Sequence, residues 1–180
     1  MTSQHRRRRL GSVIALAIMP CVACAALAAV IPQPSILWNT SPSEPTGLYI
    51  RAPLAPARGR MIAFHAPAPA FPYADERMGY LHRIPILKQI AAGEGDAVCA
   101  NQGGLTIDGR WRAPVFDRDS RGRPLPHWSG CRLLARGEFF VFSDRIPNSF
   151  DSRYFGPVER SQIVGVFQPL ATSSSLVGVS

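Results

Sequence analysis

At 180 residues the chain can bury one core and carry a short appendage. Its 17 prolines and 15 glycines, with a hydrophobic share of 46%, argue against a helical bundle and for short strands joined by turns. The formal charge of +8 suggests nucleic acid first, but Arg6, Arg7, Arg8 and Arg9 form one N-terminal block, which leaves +4 on the remainder with no long run of either sign. No nucleic-acid partner is therefore expected.

Residues 1–9 read as a basic cytoplasmic N-terminus. From Leu10 to Ile31 no residue is charged. At about 1.5 Å rise per residue this run spans roughly the 30 Å hydrocarbon core of a bilayer. The arginine block before it should stay in the cytoplasm and leave the chain after it outside. Ala26-Leu27-Ala28 also resembles a secretory cleavage site, but the apolar run is long for a signal, and a retained anchor is the preferred reading. Both readings export the rest. The expected location is thus the inner membrane, single-pass, with the domain on the periplasmic side. Cys21 and Cys24 read as small apolar residues of the span.

Residues 32–40 read as a tether, 41–170 as the folded domain and 171–180 as a flexible tail. Strand-like runs follow at Gly47–Arg51, Met61–His65, Arg83–Ala91, Asp96–Ala100 and Leu105–Ile107. Asp108-Gly109 is a tight-turn pair, with Trp111 opening a return strand. Further strands are expected at Phe139–Ser143 and Ile163–Gln168. Tyr73–Leu81 could form one helix, and residues 112–131 read as a polar excursion. The fold class is mostly β, with one helix across the membrane ahead of it. Cys99 and Cys131 lie in the exported part, where a disulfide is the simplest use of two cysteines without metal-ligand spacing. No metal or other cofactor is expected. His65, His82 and His127 are scattered and read as structural or surface groups.

Arginine supplies all basic residues but one; the single lysine is Lys88. Arginine keeps its proton at any working pH, whereas a lysine can act as a base if its pKa is depressed. Three clusters frame that lysine. The first is Ser41-Pro42-Ser43-Glu44-Pro45-Thr46-Gly47-Leu48-Tyr49, which alone reads as a turn. The second runs from Lys88 to Asp96, after the apolar stretch Ile84–Leu87. The third is Ser143-Asp144-Arg145 followed by Ser149 to Pro157.

Together and in this order the clusters resemble the signal-peptidase superfamily of Ser-Lys peptidases, and within it the TraF-like peptidases of conjugative transfer. Ser43 to Tyr49 match the S-x-P-x-G-L-Y motif of that branch. Lys88 to Asp96 keep the lysine, the Gly-x-Gly-Asp ending and the spacing of the leader-peptidase lysine box, with Gln89 and Glu94 in place of Arg and Pro. Ser149 to Pro157 match S-x-D-S-R-Y-x-G-P without a gap. Leader peptidases usually carry S-M-x-P; Ser43-Glu44-Pro45 departs from it and favours the transfer branch. Glu44 puts a charge where relatives often carry an apolar residue.

The resemblance implies a coiled β domain in which Ser43 is the nucleophile and Lys88 the base. Ser41 would help the Ser43 backbone N–H form the oxyanion hole. Ser149 would orient the lysine. Asp151 and Arg153 would form a supporting ion pair, with Asp151 not directly against Lys88, because an adjacent carboxylate would hold the amine charged. Burial by Ile84–Leu87 and Ile90 would lower the lysine pKa. The implied activity is a membrane-anchored endopeptidase that processes an exported precursor, most plausibly a pilin-like subunit of a conjugative transfer system, alongside other transfer proteins. The alternatives are a general signal peptidase and, in another class, a non-catalytic membrane-tethered part of a secretion channel.

Overall fold

The computed structural model describes residues 34–173, apart from Gln102. The expected anchor at 10–31 and most of the expected tail lie outside the described residues. Among these residues, no helix is long and apolar enough to cross a membrane.

The fold is mostly β. Seven strands form the larger sheet: β1 (Ile36–Asn39), β2 (Gly47–Ala52), β3 (Met61–Phe64), β4 (Ile86–Ala92), β9 (Glu138–Val141), β10 (Val158–Glu159) and β11 (Ile163–Thr172). Their spatial order is β1-β2-β11-β3-β4-β9-β10. A second sheet of order β7-β6-β5-β8 is built from β5 (Ala97–Asn101), β6 (Gly104–Ile107), β7 (Arg110–Ala113) and β8 (Gly130–Leu133). All pairings are antiparallel. The second sheet lies in the sequence between β4 and β9, which pair with each other through Ile90 and Val141.

Side chains alternate faces along a strand, and β9 uses that period to serve two cores. Phe139 and Val141 join Ile62, Phe64, Ile90 and Val166 in one cluster. Phe140 and the following Phe142 join Val98, Leu105 and Ile107 under the second sheet. The disulfide between Cys99 and Cys131 ties β5 to β8 at directly opposed positions.

Four expectations change. The tether contains a strand: Ile36 to Asn39 pair with Ile50 to Gly47, so the chain enters the large sheet before it reaches the first motif. Residues 83–85 stay outside β4, because Pro85 has no N–H for the ladder and pairing begins at Ile86. The expected helix at 73–81 is α1 (Tyr73–Met78), which tightens into a 3-10 turn at Gly79–His82. At the far end β11 runs to Thr172, past the expected boundary at 170, with a register shift between Pro169 and Ala171 where the missing proline donor breaks the ladder.

Candidate active site

The first motif is a turn that delivers a buried serine. The Glu44 N–H reaches the Ser41 carbonyl at 3.4 Å with Pro42 inside the turn, and Ser43 is buried. The motif glycine has a steric reason. Gly47 has φ of 136°, and a Cβ there would lie 2.2 Å from the Ala171 carbonyl oxygen of β11. Tyr49, two residues on, points back and donates to the Pro45 carbonyl at 2.7 Å. Burial pushes its phenol up to about 12, so it stays a donor.

Lys88 lies in the middle of β4, opposite Ile62 of β3. Period-2 alternation puts it on the face shared by Ile86 and Ile90. Leu87 faces a different cluster, with Tyr49 and Phe167, and Ile84 is exposed. Ile84, Pro85, Ile86 and Leu87 nevertheless line the same groove as Lys88, with Leu81 and Ile146, so the expected run contributes to the apolar surroundings of the site. Lys88 Nζ and Ser43 Oγ are directly hydrogen-bonded. Burial pulls the lysine pKa down; the nearby acids Glu44 and Asp151 oppose this and Arg153 adds to it. Ser41 Oγ lies 2.9 Å from Ser43 Oγ.

The third motif forms a separate, fully buried frame. Asp151 caps α2 (Ser152–Phe155) by accepting from the Arg153 N–H. Arg153 grips it through Nε at 2.8 Å and Nη2 at 3.0 Å, and also donates to the Ser149 and Pro114 carbonyls. The guanidinium lies 5.0 Å from the Phe142 ring centre. Asp151 is thus committed to Arg153 and does not face the amine directly. Gly156, at the end of this motif, leaves room for Trp128: a Cβ there would come within 2.7 Å of the indole. Ser149 is buried in the same groove wall as Lys88, but its hydroxyl has no hydrogen-bond partner. The orienting bond expected from Ser149 to Lys88 is not made in this structure.

Two contacts were not foreseen. The Ser143 hydroxyl donates to the Ser43 carbonyl, joining the end of β9 to the nucleophile turn. Glu44 is 5% exposed, and its Oε1 has no hydrogen-bond partner. Burial raises its pKa, against the pull of Lys88 and of the nearby Gln89 backbone N–H. It borders a small hollow of about 250 Å³ with Tyr49, Met61, Gln89 and Arg145. The sequence signal was an acid directly after the candidate nucleophile; its burial was not readable.

A larger groove of about 490 Å³ opens over Ser43 and Lys88. Leu37 and Trp38 of β1 form one wall, and Ile86, Ile146 and Phe150 contribute to the rest. Its lining is mainly apolar, and a serine hydroxyl and an amine reach its floor.

The signal peptidase, peptidase S26 family model matches residues 8–170. The chain belongs to this family. It is 35% identical over 145 residues to the plasmid transfer protein TraF of Escherichia coli, covering 74% of this chain and 81% of that protein. The conjugal transfer protein TraF of Agrobacterium fabrum is 31% identical over 148 residues, with the same coverage. A solved signal peptidase I from Enterococcus faecalis V583 aligns with a TM-score of 0.37 at 23% identity, over 64% of this chain and 98% of that one. The serine-peptidase type and the TraF-like branch follow from the family match and the TraF relatives. Of the residues singled out in the sequence, the structure brings Ser41, Ser43 and Lys88 together, with Ser149 in the same groove. Asp151 and Arg153 form the frame behind them, and Cys99 and Cys131 sit in the second sheet.

Proposed function

We propose that this chain is a serine endopeptidase in which Ser43 is the nucleophile and Lys88 its general base. The observation that carries the reading is the buried hydrogen bond between Lys88 Nζ and Ser43 Oγ among apolar side chains. A serine hydroxyl is a weak nucleophile until a base removes its proton, and a lysine is a base only when desolvated. Both conditions favour the same pair. Ser43 Oγ attacks the scissile carbonyl as its proton passes to Lys88 Nζ. The oxyanion is received by the Ser43 N–H and the Ser41 hydroxyl. Lys88 then returns the proton to the leaving amine, and a water, deprotonated by Lys88 in turn, hydrolyses the ester. The free Ser149 hydroxyl is the proposed partner of the ammonium once Ser43 is acylated. Asp151 and Arg153 serve as the frame.

The apolar groove suits an extended segment with small or apolar side chains. The similarity to conjugal transfer proteins supports an exported pilin-like precursor as substrate. In this reading residues 10–31 anchor the chain in the inner membrane and the domain acts on the periplasmic side, where the Cys99–Cys131 bridge is chemically at home.

The test is incubation of the full chain in detergent with candidate pilin precursors, followed by mass analysis of the products. Ser43→Ala and Lys88→Ala should each abolish cleavage while the protein stays folded. Lys88→Arg should be equally inactive, since arginine cannot give up its proton. Cleavage at the normal rate by any of the three would overturn the dyad.

A further inference from the structure

We propose that Asn39 is the positioning residue of the nucleophile turn and holds the Ser41 hydroxyl in place for the oxyanion. The inference rests on the Ser-Lys reading above. Asn39 is the last residue of β1 and pairs with Gly47 of β2, so it stands where the chain leaves one strand and returns to the next. Its side chain makes four hydrogen bonds, all to the segment between those strands. The two Nδ2 hydrogens are shared among the carbonyls of Ser41 at 3.0 Å, Glu44 at 3.2 Å and Pro45 at 3.1 Å, so one of them is bifurcated. Oδ1 accepts from the Ser41 N–H at 3.1 Å. Three carbonyls face one end of the amide and an N–H faces the other, so chemistry fixes its orientation; the reverse would set oxygen against three acceptors.

The turn needs this outside help. Pro42 and Pro45 have no N–H to contribute, and the one backbone bond across the turn, from Glu44 to Ser41, is long at 3.4 Å. Ser143 and Tyr49 each hold one further carbonyl, those of Ser43 and Pro45. Asn39 alone grips both backbone groups of Ser41. A residue fixed at its N–H and its C=O has little freedom left in the direction of its side chain. This keeps the Ser41 hydroxyl 2.9 Å from Ser43 Oγ, next to the region where an oxyanion would form once that oxygen has attacked a carbonyl. Releasing the clamp would let the hydroxyl wander, and misplacement by about 1 Å can cost about a hundredfold in rate. Aspartate could keep the Ser41 N–H but would press an anionic oxygen against the carbonyls.

The experiment uses the full chain in detergent and an internally quenched peptide with alanines before the scissile bond. The variants are Asn39→Ala, Asn39→Asp, Ser41→Ala and the double variant Asn39→Ala/Ser41→Ala. Asn39→Ala should lower kcat roughly ten- to a hundredfold with KM nearly unchanged. Asn39→Asp, nearly isosteric, should be no better. If Asn39 acts through Ser41, the double variant should lose far less than the product of the two single losses. Wild-type kcat in Asn39→Ala, a change confined to KM, or fully multiplicative losses would overturn the proposal. Should Asn39→Ala fail to fold, Asn39→Asp takes its place in the same cycle. Ser43→Ala, run in parallel, separates the two ideas. Cleavage by that variant strikes the Ser-Lys reading, whereas its inactivity beside a fully active Asn39→Ala strikes only the role of Asn39.

Discussion

Two buried polar pairs lie close together in this domain, and they are built on opposite terms. Asp151 and Arg153 are both charged groups with every contact satisfied: a two-point grip, a helix cap, two further carbonyls and an aromatic face. Lys88 and Ser43 share one hydrogen bond in a mainly apolar groove, with an unpartnered Ser149 hydroxyl in the same groove wall. The first arrangement fixes structure, since a buried ion pair survives only when its remaining valences are met. The second leaves an amine whose burial disfavours its charged form, the direction that the proposed base role requires. Rigidity in one pair allows incompleteness in the other.

Breaking the satisfied pair should do the greatest damage. Arg153→Ala would leave the Asp151 carboxylate buried and alone, and should cost about 3–5 kcal/mol in chemical denaturation. Arg153→Lys should recover little, because an ammonium cannot span the same fork of contacts. A loss below about 1 kcal/mol would show that the frame is not held by this pair.

The reactive pair should behave in the opposite sense. Lys88→Met removes the amine and keeps an apolar stem, so the inactive variant should be more stable than wild type at neutral pH. The sign follows from proton linkage. The unfolded chain holds the Lys88 proton up to about pH 10.4, while burial makes the folded protein release it earlier. Between those two points the unfolded state binds more protons, so wild-type stability rises with pH and the gap to Lys88→Met closes toward pH 10. Each unit by which burial lowers the lysine pKa is worth about 1.4 kcal/mol of that gap. A gap independent of pH between 7 and 10 would mean that the amine keeps its proton in the fold.

The smallest effect should come from Glu44→Gln. The carboxylate of Glu44 raises the Lys88 pKa, so its removal should move the acid limb of the kcat/KM profile to lower pH. Because burial favours the neutral acid, the shift should stay below about one unit. A limb that stays still, or moves upward, would remove Glu44 from the electrostatics of the site.

Much of this arrangement was legible before any coordinates. Alternating or continuous apolar runs located β2, β3, β9 and most of β11, and a chain with one lysine left little choice of amine base. What stayed hidden depended on pairing between distant segments. Residues 36–39 are flanked by proline and polar residues and form a strand only because β2 offers them an edge. Asn39 is an ordinary polar residue in sequence; its value comes from the carbonyls that the turn after it bends back toward it. Glu44 read as a charge where relatives often carry an apolar residue, and its burial comes only from the packing of the turn against β4 and the segment after β9. The expected bond from Ser149 to Lys88 rested on resemblance alone, and in the structure the Ser149 hydroxyl has no partner.

The placement of the second sheet carries one more consequence. It departs after β4 and comes back at β9, and those strands are immediate neighbours in the main sheet. The four strands and their cystine thus leave and rejoin the main sheet at points about one strand spacing, roughly 4.8 Å, apart. Such a lobe could be excised and the gap bridged by a short hairpin, provided that Phe140, which it now shields, is replaced by a polar residue and that Arg153 and Gly156 are given substitutes for the Pro114 carbonyl and the Trp128 ring that the lobe supplies. A minimal domain of this design would retain the groove and the proposed dyad, and could be cut down without touching the strand that bears the lysine.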